Sequence, residues 1–132
     1  MRAEMALTFE YGTEYDPPAP VLRVAVSLPV GAAAQRIEQI SALCESGADL
    51  TCLPAYLIEA LGLLEVDEVQ VEGYDGSTQI KPLYAARLSL PDSHSHLVRI
   101  VPISSGEALL GRDVLNSLRL ELNGPQRRLT LL

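Results

Sequence analysis

Residues 41–54 read SALCESGADLTCLP. They begin inside a run, RIEQISALC (36–44), that first alternates polar with apolar and then turns wholly apolar. Such a run reads as a strand that dives into a core at its C-terminal end. It breaks at Glu45-Ser46-Gly47-Ala48-Asp49, and apolar residues resume from Leu50 to Pro54. Glycine at 47 lets backbones approach closely and take conformations closed to other residues. The stretch poses one question: what does an acid, Glu45, do at the end of a strand that has just turned apolar?

Outward from this loop the dominant period is two, which means strands. ALTFEY (6–11) reads as a short strand, and YDPPAP then breaks regular structure because proline fixes φ and removes an amide donor. VLRVAVSL (21–28) puts Leu22, Val24, Val26 and Leu28 on one face; PVGAAA after it reads as a hairpin connection. PAYLIEALGL (54–63) is the clearest helix, about 54–62, with Pro54 at its start and Gly62 at its stop. EVDEVQVEG (65–73) and STQIKPLYAARLSL (77–90) are strands around YDGS turn chemistry, and Pro82 implies an edge or a bulge. LVRIVPI (97–103), EALL, LRLEL and RRLTLL continue the pattern, with a short helix at about 112–118 and an Asn-Gly hairpin turn in NGPQ. The expectation is an all-β single domain over 1–132 whose sheet closes or folds over on itself, with one main helix.

Composition narrows the function classes. The chain has 132 residues, 48% of them hydrophobic, which is enough for a core without a disulfide or metal staple. A net charge of −7 repels phosphate backbones, so nucleic acid is not an expected partner. Cys44 and Cys52 sit among apolar residues and are expected as buried free thiols. No apolar run reaches the length of a membrane span and no signal peptide is read, so the expectation is a cytoplasmic protein with no membrane partner.

Two segments resemble the signatures of one family. ALCESGADLTCLP (42–54) resembles the active-site loop of retropepsin-like (retroviral-type) aspartic proteases, in the form of a bacterial-type single-domain member. LLGRDVLN (109–116) resembles that family's second signature. VEGYDGSTQI lies between them, in a flap hairpin region of about 66–90; residues 1–20 supply the N-terminal strand and proline-rich connection. The resemblance implies a retropepsin-like barrel and a homodimer that binds an extended polypeptide. Its catalytic carboxylates would be Glu45, one from each subunit. Ser46, Gly47, Ala48, Asp49 and Arg112 would support the loop, with Asp49 and Arg112 paired, and Gly73, Tyr74, Asp75 and Gly76 would form the flap tip over substrate. It implies no cofactor and no metal.

The chemistry explains the dimer. Peptide hydrolysis needs an activated water and a proton for the leaving amine, and two carboxylates sharing one proton supply both. Like charges held close cannot both ionise easily, so the pair titrates as a unit. A chain with one such loop contributes one carboxylate, and a two-fold axis contributes the other.

This chain departs from the family at position 45, where the pattern has Asp. Glutamate keeps the acid but is longer by one methylene, roughly 1.5 Å. A misplacement of about 1 Å costs on the order of 100-fold in rate, equal to about 2.7 kcal/mol of barrier. Activity is therefore expected to be weakened or lost. The alternative is a non-catalytic dimeric peptide-binding or assembly module on the same fold, and a third reading is a barrel scaffold without a groove.

Other features read as ordinary structure. His94 and His96 form an H-x-H pair in a Pro-Asp-Ser loop without a third ligand. GEALLGRD lacks the Gly-Lys-Ser/Thr of a phosphate loop, and Ser104 and Ser105 have no activating base. Asp113 is expected to cap the short helix.

Overall fold

The computed structural model describes residues 6–30, 36–73 and 75–132. The elements in chain order are β1 (Leu7–Glu10), β2 (Val21–Ser27), β3 (Ile37–Cys44), β4 (Cys52–Pro54), α1 (Ala55–Leu61) and β5 (Glu65–Glu72). Then come β6 (Thr78–Ser89), β7 (Ser95–Ile103), β8 (Ala108–Leu110), α2 (Arg112–Leu115), β9 (Leu120–Asn123) and β10 (Arg128–Leu131). The main sheet runs β2-β3-β8-β4-β7-β6-β5. A further pairing of β2 with β6, from Ala25↔Ser89 to Ser27↔Arg87, closes six of those strands into a barrel. β5 stands outside the ring as the second arm of a hairpin with β6.

The barrel closes because its strands carry one apolar face each. Leu22, Val24 and Val26 of β2 point inward and are fully buried, while Arg23 between them is exposed. Ala86 and Leu88 of β6, Ile100 of β7 and Leu110 of β8 fill the same interior. Each such large apolar side chain contributes roughly 1.5–3 kcal/mol on burial. Leu57, Ile58 and Leu61 place α1 against this core. Gly62 ends that helix at φ +65, where its amide and that of Leu63 turn back to the helix carbonyls.

Some expectations are corrected here. β4 lies within the stretch first read as loop and helix start; three residues are too few to show a period. α2 ends at Leu115 rather than at about 118, although Ser117 and Leu118 still donate to carbonyls three residues back. Asp113 does not cap α2: the N-cap is Gly111, and no side chain caps it. Pro82 is tolerated because β6 there pairs only with β5; its pairing with β7 begins at Tyr84. A bulge between Glu65 and Asp67 leaves Val66 exposed and out of phase with the half-buried Val69 and Val71. Cys44 and Cys52 are free, as expected, but only half-buried. Most of the expected PVGAAA connection falls outside the described residues.

Both chain-terminal strands join a separate three-stranded sheet of order β1-β10-β9. Its apolar rows, Leu7-Leu131-Leu120 and Phe9-Leu129-Leu122, share one face, and Leu129 is fully buried under the barrel.

Candidate active site

The loop after β3 is held by its own backbone and by the segment that starts α2. The amide of Glu45 donates to the Leu110 carbonyl at 2.9 Å, and that of Ala48 donates back to the Glu45 carbonyl at 3.2 Å. Beyond the turn, the amides of Arg112 and Asp113 donate to the carbonyls of Ala48 and Asp49 at 2.9 and 3.3 Å. Gly111 is the close-contact point. A Cβ there would stand 2.6 Å from the Leu50 carbonyl carbon and 3.0 Å from the Ala48 oxygen. Only glycine lets these two backbones meet.

Side chains complete the clamp. Arg112 donates through Nη1 to the Ser46 carbonyl at 2.7 Å and through Nη2 to the Asp49 carboxylate. The Arg112–Asp49 pair therefore forms, in the geometry of a charge-assisted hydrogen bond. Beneath it lies a pairing that sequence reasoning missed. Thr51, fully buried, donates its hydroxyl to Asp113 Oδ1 at 2.8 Å and its amide to Oδ2 at 3.1 Å. The same hydroxyl accepts the Gly111 amide at 3.2 Å. One buried hydroxyl thus satisfies both segments. The only signal in the sequence was an acid next to Arg112, read there as a cap.

Glu45 itself is half-buried, whereas Ser46, Gly47 and Asp49 are exposed. Its Oε1 accepts the amide of Gly47 at 3.0 Å. The longer side chain thus curls back over its own loop, where a backbone donor holds the carboxylate. Ala48 is half-buried behind it.

The flap hairpin is formed by β5 and β6. Gly73 donates to Ser77 O at 2.8 Å and Gly76, at φ +81, donates to Gly73 O at 3.1 Å. Asp75 accepts the Ser77 hydroxyl at 2.6 Å and the Ser77 amide at 2.9 Å, and these two bonds hold its carboxyl below the usual range. Tyr74 lies outside the described residues. Among the described residues the flap tip makes no hydrogen bond to the Glu45 loop, so the structure brings loop and Arg112 together but not loop and flap.

Elsewhere, His94 rests on Asp92 at 2.8 Å, and no group of three His, Cys, Asp or Glu able to hold a metal occurs among the described residues. Among the described residues no helix is long and apolar enough to cross a membrane.

No family model and no curated protein matches the sequence. Solved structures do match. A retropepsin-like aspartic protease from Rickettsia conorii aligns over 98% of this chain and 100% of its own, at TM-score 0.59 and 12% identity. EIAV protease complexed with an inhibitor aligns over 83% of this chain and 93% of its own, at TM-score 0.57 and 17% identity. The Simian Foamy Virus (mac) protease aligns over 74% and 92%, at TM-score 0.54 and 13% identity. At such identities the likeness speaks for architecture. The chain has the retropepsin-like aspartic protease fold, and the two signature segments meet in it at one place.

Proposed function

We propose that this chain works as a homodimeric endopeptidase of the aspartic type, with Glu45 of each subunit as its paired carboxylate, at a rate well below that of an aspartate pair. The observation that carries the reading is the holding of Glu45. Its carboxylate is pinned by the Gly47 amide inside a loop that Arg112, Thr51 and Asp113 clamp from behind. A loop held from both sides gives a carboxylate at position 45 a defined place from which to act.

The half-exposed setting of Glu45 supports a half-site. A second copy facing it across a two-fold axis places two carboxylates together. One then takes a proton from water while the other, protonated, hydrogen-bonds the scissile carbonyl, and the proton passes on to the leaving amine. The exposed Ser46 has its place next to the partner's loop, and the β5–β6 hairpin covers an extended polypeptide whose backbone pairs with strand edges. Nothing in this scheme calls for a metal or a cofactor.

The lengthened acid explains the reduced rate. Glu45 reaches its position by folding back onto Gly47, a geometry shared by both subunits, so both carboxylates are displaced from where an aspartate would stand. The test is cleavage of an unfolded protein from about pH 3 to about pH 7, across the range where carboxylate pairs titrate, by the natural chain and by Glu45→Asp. Weak cleavage by the first and much faster cleavage by the second is the expected result. No cleavage by either, from a folded dimer, would move the assignment to a peptide-binding or assembly module.

A further inference from the structure

The strand registers place one row of apolar side chains across five strands, on the face turned away from the barrel core. Leu43 stands beside Leu109, Leu109 beside Cys52, and Cys52 beside Val101. Paired residues share a face, and neighbours along a strand alternate. Tyr84 pairs with Ile100, so the residues next to them, Leu83 and Val101, share the other face. The row therefore runs from Leu43, two residues before Glu45, to Leu83 in the arm of the hairpin. None of the five packs into the core cluster that fills the barrel. Leu43, Leu109 and Cys52 are only half-buried. An apolar row left partly open beside Glu45 makes a floor for an extended polypeptide.

One charge stands on the same face. Lys81 lies two residues before Leu83 on β6, where that strand has parted from β7; their pairing begins only at Tyr84. The Lys81 ammonium spans the parting and donates to the Pro102 carbonyl at 3.4 Å. That is long for an N–H···O bond, and an ammonium has three protons to donate. Lys81 is half-buried, and among the described residues no carboxylate forms an ion pair with it. The neighbouring cations are taken: Arg99 pairs with Asp67, and Arg112 with Asp49. The charges of Asp113 and Lys81 both act on Cys52, in opposite senses, so both lie near the row. Asp113, however, has its two oxygens engaged by Thr51. Lys81 has no such counterpart.

We infer that Lys81 is a specificity residue: it selects polypeptides that carry an Asp or Glu side chain close to the apolar side chains resting on the row from Leu43 to Leu83. A partly desolvated ammonium with one long hydrogen bond is an unfavourable arrangement. A carboxylate brings the acceptors that the chain itself withholds, in charge-assisted bonds of the stronger kind. The inference rests on the polypeptide-binding reading of this face, and it does not require that Glu45 be active.

The test presents a synthetic mixture of short peptides, with every residue type at every position, to the natural chain, Lys81→Arg, Lys81→Met and Lys81→Glu. Each is also made with Glu45→Asp, and circular dichroism checks folding. Mass spectrometry reads the sequences cleaved by the Glu45→Asp forms and those retained by the immobilised Glu45 forms, where no bond need break. Asp and Glu should be enriched about tenfold at one position of the selected peptides. Lys81→Arg should keep that preference, Lys81→Met should lose it, and Lys81→Glu should turn it toward Lys and Arg. Selection blind to acids, or a preference that outlasts Lys81→Met, would overturn the inference. Acid-selective retention with no cleavage by the Glu45→Asp form would overturn the peptidase reading and leave Lys81 in its role. Cleavage indifferent to acids would do the reverse. Neither cleavage nor retention would overturn both.

Discussion

Glu45 Oε1 accepts the amide of Gly47 at 3.0 Å, and a methyl group on Gly47 would stand 3.0 Å from that same oxygen. The carboxylate thus rests on bare backbone. Gly47→Ala should push the carboxylate aside rather than unfold the loop, because the crowded atom is the free end of a flexible side chain. Stability should change by less than about 1 kcal/mol, while cleavage falls on the order of 10–100-fold. The comparison is made with Glu45 in place, because it is the glutamate's Oε1 that the added methyl group crowds. A Gly47→Ala protein that cleaves as fast as its parent would show that the carboxylate position does not limit the rate.

Gly111 poses the opposite case. Its φ of −87 is open to any residue, so the demand there is for space alone. The atoms it would strike, the Leu50 carbonyl carbon at 2.6 Å and oxygen at 2.7 Å, belong to backbone and cannot swing away. Gly111→Ala should therefore separate the two signature segments and cost about 3 kcal/mol in urea unfolding. A loss below about 1 kcal/mol would mean that the clamp has slack.

Thr51 and Arg112 hold the same loop by bonds of different worth. Thr51 is buried, and Thr51→Val strips a partner from both the Gly111 amide and Asp113 Oδ1. That change should cost roughly 2–3 kcal/mol, and Thr51→Ser should recover most of it. Arg112 and Asp49 are 44% and 83% exposed, so solvent screens their attraction. Arg112→Ala should cost less than about 1 kcal/mol yet lower cleavage, since the guanidinium also holds the Ser46 carbonyl. Equal stability losses for the two substitutions would contradict this division of labour.

The longer strands and α1 were legible because each carries a period long enough to read: β2 alternates over seven residues, and α1 repeats its apolar face between Pro54 and Gly62. β4 was not, since three residues carry no period and its place is set by partners in β7 and β8. The Glu45 loop and Arg112 were found through two short signatures. Asp113 was misread for a physical reason: an acid in a first helical turn is a common cap, and its actual partner, Thr51, is 62 residues away in sequence. LRLEL shows alternation, but only the sheet order shows that β9 joins β10 and β1 in a sheet apart from the barrel.

The cysteines give a pH-dependent readout independent of any substrate. Burial pushes the Cys44 thiol from 9.0 up to about 11. Cys52 is also raised, first by burial and then by the charge of Asp113, with Lys81 opposing. Only about one Cys44 thiol in a thousand is then ionised at pH 8, and the thiolate is the reactive form. Iodoacetamide at that pH should leave Cys44 unmodified over a time in which the urea-unfolded chain is fully labelled, as mass spectrometry would show. The same shift is linked to stability. Between about pH 9 and about pH 11 the folded chain keeps this proton while the unfolded chain gives it up. Folding stability should therefore fall by about 2–3 kcal/mol as pH rises through that window. Below about pH 9 both states hold the proton, and the thiol adds no slope. Cys44→Ala should remove this part of the alkaline loss. Labelling of folded Cys44 at the rate of the unfolded chain would contradict both expectations, since it would place the thiol in water.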